Sequence, residues 1–431
     1  MQQSQRSAAL AVRAVLDGAA LPAALDAHAG RDGGPARAFV QELAYGTLRH
    51  HGTLDAVVRA LAAKPIPDRR VAALVEVALY QLQHTRQPAF AVVDQAVAAA
   101  AALANPGAKS LVNALLRRFL REREDVLARV RSDPVARWSH PHWWIARVRA
   151  DWPDEWRSIL DAGNARPLLA LRVNRRRADR AAVLARFAGE GIEARAEGES
   201  GIVVAAPRPV AALPGFAEGD FSVQDLGAQL AAPLVGAADG MRVLDACAAP
   251  GGKTAHLLER GNVAVTAIDS DPARLARVTD NLSRLGLDGP RVRVVEGDAA
   301  RPQRWWDGAP FDRILADVPC SASGVVRRHP DAKWLRRATD VAAFAATQAA
   351  ILDALWPLLA RDGVLVYATC SVFREENGAR IDDFSARHPD ALREPLTYPA
   401  GARCSGGQLL PSPEATGHNQ DGFFYARLRK A

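Results

Sequence analysis

The sequence predicts a multidomain chain: an all-α N-terminal domain, a small α/β connecting domain and a C-terminal doubly wound α/β domain. Three observations carry this. Apolar residues recur at helical spacing through residue 130. Composition then shifts to a tryptophan- and arginine-rich stretch. From Gly240 onward, short β-branched runs alternate with helical patterns, which is how a parallel sheet with crossover helices is written. Because 431 residues exceed one ordinary core, boundaries are placed at 1–135, 136–235 and 236–431.

Bulk properties narrow the class. The hydrophobic fraction is 49% and the charged fraction 24%, the balance of a soluble globular protein rather than a disordered one. Residues 1–25 carry Arg6, Arg13 and Asp17 through an apolar pattern, which makes an amphipathic helix and not a secretory signal. The longest apolar stretch, Ala96–Ala104, is too short to span a bilayer. Four cysteines without paired spacing argue against a disulfide scaffold and for a reducing compartment, so a cytoplasmic, non-membrane protein is expected. Net charge is +7, and residues 1–135 hold 17 basic against 12 acidic side chains while residues 136–240 hold 13 of each. That points to a polyanion partner for the N-terminal domain. Only five of the 55 basic residues are lysine, so abundant arginine is also a habit of the whole chain.

Each element follows in order. Helix breaks in the first domain fall at Gly30–Pro35, Lys64–Asp68, Gln87–Pro88 and Asn105–Gly107. Its last helix, Lys109–Arg123, carries Arg117, Arg118, Arg121 and Arg123; taken alone, this basic face reads as solvated. In the connecting region Trp138, Trp143, Trp144, Trp152 and Trp156 interleave with Arg147, Arg149 and Arg157. Such a set can stack on RNA bases, but packing between domains is the favoured reading. Leu169–Asn174 reads as a strand, followed by an arginine-rich helix through Gly189 and a strand near Ile202–Ala205, a βαβ-like unit. In the last domain, strands are expected at Arg242–Cys247, Val263–Asp269, Val292–Glu296, Arg313–Val318, Val364–Thr369 and Phe423–Leu428. Helices are expected at Thr254–Arg260 and Pro272–Leu285.

The first of those strands runs into Cys247-Ala248-Ala249-Pro250-Gly251-Gly252-Lys253. Strand, glycine turn, helix is how α/β sheets bring backbone close to a nucleotide. A P-loop would need glycine at position 247, which is Cys, and Gly251-Gly252 does not supply a dinucleotide fingerprint. A small cofactor without a pyrophosphate fits better. Asp269 ends the second strand, where a carboxylate accepts from ribose hydroxyls; Asp298 ends the third, placed for an adenine amino group; Asp317 ends the fourth. Each alone is an ordinary turn former or cap. Three in register after a glycine turn are the layout of an S-adenosylmethionine methyltransferase.

Two cysteines close strands in the same domain, Cys320 after Asp317-Val318-Pro319 and Cys370 between Thr369 and Ser371. Ligands bind at the carboxyl ends of strands in such sheets, so the two thiols are expected to share a pocket. With Asp245–Thr254, these motifs resemble the RNA 5-methylcytosine methyltransferases. Ser323–Asp331 is similar to the bacterial 16S rRNA members of that family. Arg37–Arg49 and Val112–Phe119 resemble their NusB-like RNA-binding domain, so the likeness spans nearly the whole chain. Departures are Val318, where the family often has Ala, and a longer polar stretch, Pro411–Gln420, read as a loop over the site.

The resemblance implies methylation of C5 of a cytosine in 16S rRNA, with S-adenosylmethionine as cofactor held by residues 247–253, Asp269, Asp298 and Asp317. It implies Cys370 as nucleophile at cytosine C6 and Cys320 as the residue of product release. Asp317 would contact the cytosine N3/N4 edge, and donating to N3 would require that it carry a proton. Lys253 near the pocket would favour a thiolate, or else merely start a helix. Cys247 reads as a small buried side chain of the turn, and Cys404 as structural. His50-His51 and His140/His142 lack companions at ligand spacing, so no metal is expected; the chain is expected to be a monomer. The competing reading is a non-catalytic RNA-binding ribosome-assembly factor. Retention of both cysteines with all three acids favours the enzyme, and a redox pair, lacking Cys-x-x-Cys, is weaker still.

Overall fold

The computed structural model describes residues 2–30, 34–103, 107–206, 208–399, 402–412 and 419–431. Residues 31–33 and 105–106 of two expected helix breaks, and 413–418 of the expected loop, lie outside the described residues. The chain divides into two compact units, one of residues 1–165 with 326–338, the other of residues 166–325 with 339–431.

The first unit is helical: α1 (Gln2–Leu16), α2 (Leu21–Ala29), α3 (Pro35–Leu61), α4 (Arg69–His84), α5 (Ala89–Leu103), α6 (Gly107–Val130), α7 (Pro134–Trp138), α8 (His142–Asp151) and α9 (Trp156–Asn164). The starts follow from sequence. Pro35 opens α3, and Asp68 caps α4 by accepting from the Arg70 amide at 2.8 Å. Small and branched side chains, among them Ala8, Val12, Leu43, Leu48, Leu74, Val77 and Leu116, meet in one core. The basic face of α6 is largely engaged. Arg117 donates to Asn113, and Arg118 donates to Glu122 and to the Leu61 carbonyl. The tryptophans pack within this unit: Trp138 meets Trp156 edge-on at 5.2 Å, with the Arg157 guanidinium 4.5 Å from the Trp156 ring.

One segment of this unit comes from far along the chain. Val326–Ala338 contains the short helix Ala332–Leu335. There Lys333 is fully buried, donating to the Arg49 and Ser139 carbonyls and to Asn164 Oδ1 at 2.7–2.9 Å. The Trp334 indole donates to the Leu48 carbonyl.

The second unit contains two sheets. The smaller holds β1 (Leu169–Val173), β2 (Ala194–Glu197), β3 (Gly201–Val204) and β4 (Phe221–Val223) in the order β2-β3-β1-β4, every pair antiparallel. The expected βαβ-like unit is therefore corrected. The helix Arg180–Gly189 does follow β1, but the chain returns through a β2–β3 hairpin and not a parallel crossover, with β2 too polar to announce itself. Val183 and Phe187 of that helix pack on Leu171, Ile202 and Phe221.

The larger sheet comprises β5 (Arg242–Ala246), β6 (Ala264–Asp269), β7 (Val292–Glu296), β8 (Phe311–Asp317), β9 (Leu359–Thr369), β10 (Ala391–Glu394), β11 (Cys404–Ser405), β12 (Gln408–Leu409) and β13 (Phe423–Lys430). Its order is β11-β12-β13-β9-β8-β5-β6-β7, with β10 also against β13. Strands β5 to β9 are parallel, as expected, but β13 pairs antiparallel with β9, so the sheet is mixed. Alternate side chains feed two cores. Val243, Leu315 and Val366 face Leu257 and Val278; Leu244, Ile314 and Leu365 face Leu352 and Phe384. The helix Ala338–Leu355, with its following turn, is apolar enough to cross a membrane by length and composition, and outdoes the Ala96–Ala104 run. Here it covers the sheet through Ile351, Leu352 and Leu355.

Candidate active site

At the end of β5 the chain turns through Cys247–Gly251 into the helix Gly252–Arg260. Gly251 sits at φ +95°, and a Cβ there would lie 3.0 Å from the Val278 Cα, so only glycine fits both conformation and space. Cys247 also adopts a left-handed conformation, φ +63°, without that excuse. The turn is fixed from outside: the Ala249 amide donates to Asp269 Oδ2 at 3.1 Å, and Asn281 Nδ2 donates to the Pro250 carbonyl at 2.8 Å. Burial, together with Asp317, Asp269 and Asp245, pushes the Cys247 thiol up, so it stays neutral.

Three acids were expected at this edge, and the structure gives them different environments. Asp269 is buried and also accepts from the Asp271 amide at 3.1 Å. Asp298 is exposed and accepts from the Ala300 amide at 2.9 Å. Asp317 is half-buried and ion-paired, its Oδ2 2.6 Å from Lys253 Nζ. Lys253, expected either to stand near the pocket or merely to start a helix, lies in the first turn of the helix Gly252–Arg260 and reaches the Asp317 carboxylate. Burial pulls its pKa down, but Asp317 and the Cys370 sulfur hold it above the ordinary lysine value. A fourth acid, Asp245 inside β5, was not singled out from sequence. Burial pushes it up to about 7 although Thr254 Oγ1 donates to it at 2.6 Å; its other oxygen has no partner among the described residues.

Strands β8 and β9 lie side by side with Asp317 opposite Ala368, so the segments leaving them run together. Cys320 Sγ is 3.3 Å from Cys370 Sγ. Cys320 is buried, and its hydrogen bond with Cys370, then burial, push its thiol well up. Either sulfur can donate in this contact.

A buried polar frame lies behind the thiols. Glu376 accepts from the Ser321 amide at 2.8 Å and from the Ser321 and Ser371 hydroxyls at 2.5 Å each. Ser323 Oγ lies 2.9 Å from Ser371 Oγ and accepts from the Val372 amide. Asn377 accepts from Thr369 Oγ1 at 2.6 Å and donates to the Ser371 carbonyl at 2.9 Å. Gly324 closes the arrangement: its amide donates to the Cys370 carbonyl, and a Cβ on it would lie 2.0 Å from the Gly422 carbonyl oxygen. Sequence reasoning missed Glu376 and Asn377. Their only local signal is their position six and seven residues after Cys370.

The remaining candidates lie apart. Cys404 is exposed in β11. His50 stacks on His84, and His51 pairs with Glu76 at 2.6 Å; among the described residues no group of His, Cys, Asp and Glu could hold a metal. A cavity of about 420 Å³ includes His256, Tyr398, Leu226 and Pro233 in its lining, but none of the acids or thiols above.

Three family models match successive parts of the chain. A family model described as 16S rRNA methyltransferase RsmB/F matches residues 233–429. One for the ferredoxin-like domain of RsmF/B-like methyltransferases matches residues 140–211, and one for the NusB family matches residues 2–121. Ribosomal RNA small subunit methyltransferase B of Pseudomonas putida is 48% identical over 98% of this chain and 98% of its own length. The protein of the same name from Serratia proteamaculans is 44% identical over 98% of this chain and 97% of its own. Among solved structures, PH0851 shares the fold at TM-score 0.79 and 24% identity, covering 100% of this chain and 99% of its own. A protein architecture of NusB-type helical domain, ferredoxin-like domain and methyltransferase domain, with relatives this similar over their full length, settles the assignment: the chain belongs to the 16S rRNA methyltransferase RsmB/F family.

Proposed function

We propose that this protein methylates C5 of a cytosine in 16S rRNA, using S-adenosylmethionine and a covalent bond between Cys370 and cytosine C6. The observation that carries the reading is the 3.3 Å contact between the Cys320 and Cys370 sulfurs, beside the Lys253–Asp317 ion pair at the ends of adjacent parallel strands. The family relationship supports rRNA as the substrate, and a cytoplasmic setting goes with that substrate. The cofactor fits the residues present: a glycine turn with no room for a side chain, a buried carboxylate in Asp269 and an exposed one in Asp298 along one sheet edge. Residues 247–253, Asp269, Asp298 and Asp317 would hold it. When bound, it supplies an electrophilic methyl group.

The protein's own groups account for the rest. Cytosine C5 is a poor nucleophile until a thiolate adds at C6 and converts the ring to an enamine. Cys370 is taken as the attacking sulfur on the family resemblance, and burial with the Cys370 contact pushes the Cys320 thiol up, which makes Cys320 the poorer nucleophile. Asp317, ion-paired with Lys253, would accept from the cytosine N4 amino group and orient the ring. Once C5 carries the new methyl, Cys320 would complete the release: its sulfur takes the C5 proton as its S–H passes to the departing Cys370 sulfur, the C6–S bond breaks and the 5,6 double bond re-forms. The target base must leave its stack to reach these groups.

The test is incubation with 16S rRNA and isotopically labelled S-adenosylmethionine, followed by digestion and nucleoside analysis. Label in 5-methylcytidine is the expected result. Label on another atom would overturn the C5 assignment, and RNA binding without transfer would favour an assembly factor.

A further inference from the structure

We propose that Glu376 is the positioning residue that holds the two cysteine loops together and thereby sets the contact between their sulfurs; the role assigned to that contact rests on the methyltransferase reading above. The residue that follows each cysteine is bound to this one carboxylate. Ser321 gives it an amide and a hydroxyl, and Ser371 gives it a hydroxyl. Gln348, on the helix covering the sheet, donates to Glu376 at 3.2 Å and to the Pro319 carbonyl at 2.9 Å, so the residue before Cys320 is tied to the same point.

The direction of these bonds is determined. Ser321 and Ser371 hydroxyls donate to the Glu376 carboxylate, and these bonds oppose the burial that pushes its pKa up. Ser371 is then free to accept from Ser323, and Ser323 from the Val372 amide. The chain of donors runs one way and ends on Glu376. Adjacent Asn377 performs the complementary task on the other side of Cys370, receiving the Thr369 hydroxyl and donating to the Ser371 carbonyl. Cys370 is thus the one residue of Thr369-Cys370-Ser371 whose side chain is left to face the pocket. Its backbone cannot drift from Cys320 without breaking bonds to a common buried acceptor. Glu376 is itself fully buried, and its charge is one of the influences that keep the Cys320 thiol protonated.

The experiment is oxidative cross-linking of Cys320 to Cys370 by diamide in the full chain, followed by mass spectrometry, beside steady-state methylation of rRNA. The variants are Glu376→Gln, Glu376→Ala and the double change Ser321→Ala with Ser371→Ala. Cross-linking in Glu376→Ala and in the double serine variant is expected to slow at least tenfold. In both, kcat falls at least as far while KM for RNA stays within about twofold. Glu376→Gln keeps one acceptor oxygen and replaces the other with an NH2, so it is expected to fall between the wild type and Glu376→Ala in both. If Glu376→Ala does not fold, as thermal melting would show, the serine pair decides. Cross-linking at the wild-type rate in a folded serine-pair or Glu376→Ala variant overturns the proposal. If the wild type transfers no methyl but cross-linking still slows in the variants, the methyltransferase reading fails and the positioning role stands.

Discussion

Lys253 Nζ donates to Asp317 Oδ2 across 2.6 Å, joining the first turn of the cofactor helix to the end of β8. The pair links what would hold the cofactor to what would hold the base. Lys253→Met and Asp317→Asn are each expected to lower kcat on the order of 10²-fold, the scale of a lost positioned polar group. Because the residues act as one unit, the double variant should be little worse than the poorer single. Losses that multiply in steady-state assays would show that the two act independently.

Asp245 makes stability depend on pH. Its folded pKa of about 7 lies above the ordinary carboxylic acid value, so between about pH 4 and pH 7 the folded state holds a proton that the unfolded state has lost. Stability from this group is therefore present at the acid end and falls as pH rises to 7, by up to about 4 kcal/mol. Asp245→Asn keeps an acceptor for Thr254 and removes the titration. Urea unfolding at pH 5 and pH 8 should give a smaller fall in the variant; an equal fall would assign the dependence elsewhere.

Arg172, fully buried in β1 of the smaller sheet, forms a two-pronged ion pair with Glu259 at 2.7 and 2.8 Å. It also donates to the Gly252 carbonyl at 2.8 Å. Removing it by Arg172→Met strands a carboxylate that burial already pushes up, at a cost of about 3–5 kcal/mol. Urea unfolding should register that loss, and calorimetry should find weaker S-adenosylmethionine binding because the cofactor turn loses a donor. Unchanged cofactor affinity would confine Arg172 to stability.

Lys333 lies 2.7–2.9 Å from three acceptors in the first unit, all of which its ammonium form serves and only two of which its amine form can. Burial, then Arg49, pulls its pKa well down, so above that folded value and below about pH 10 the unfolded chain binds one more proton than the folded chain. The group's contribution to stability thus rises with pH across that window. Lys333→Met should cost about 3 kcal/mol near neutrality through the unpaired acceptors, and should flatten the rise measured by denaturation at pH 7 and 9.

Much of the site could be read from local pattern, and the rest could not for identifiable reasons. The apolar runs ending at Asp317 and Thr369 marked two buried strands, and strand-end logic put both thiols at one edge, where Cys320 and Cys370 stand in contact. The glycine turn was legible because a backbone at φ +95° leaves a sequence mark. Glu376 was not, because a charged residue in a loop looks solvated until tertiary packing buries it. Nor was the destination of Val326–Ala338, whose partners Leu48 and Arg49 lie more than 270 residues earlier. β2 and β4 were missed because runs of four residues, two of them charged, and of three residues are too short to show a period.

The most direct test of the central claim is to trap the bond itself. RNA carrying 5-fluorocytidine at the target has no C5 proton to lose, so elimination stops with the enzyme attached. Wild-type protein with S-adenosylmethionine should give a complex that survives denaturant, Cys370→Ala none, and Cys320→Ala an adduct even on ordinary RNA. A complex that persists in Cys370→Ala, or none with the wild type, would contradict the assignment of Cys370 as the attacking sulfur.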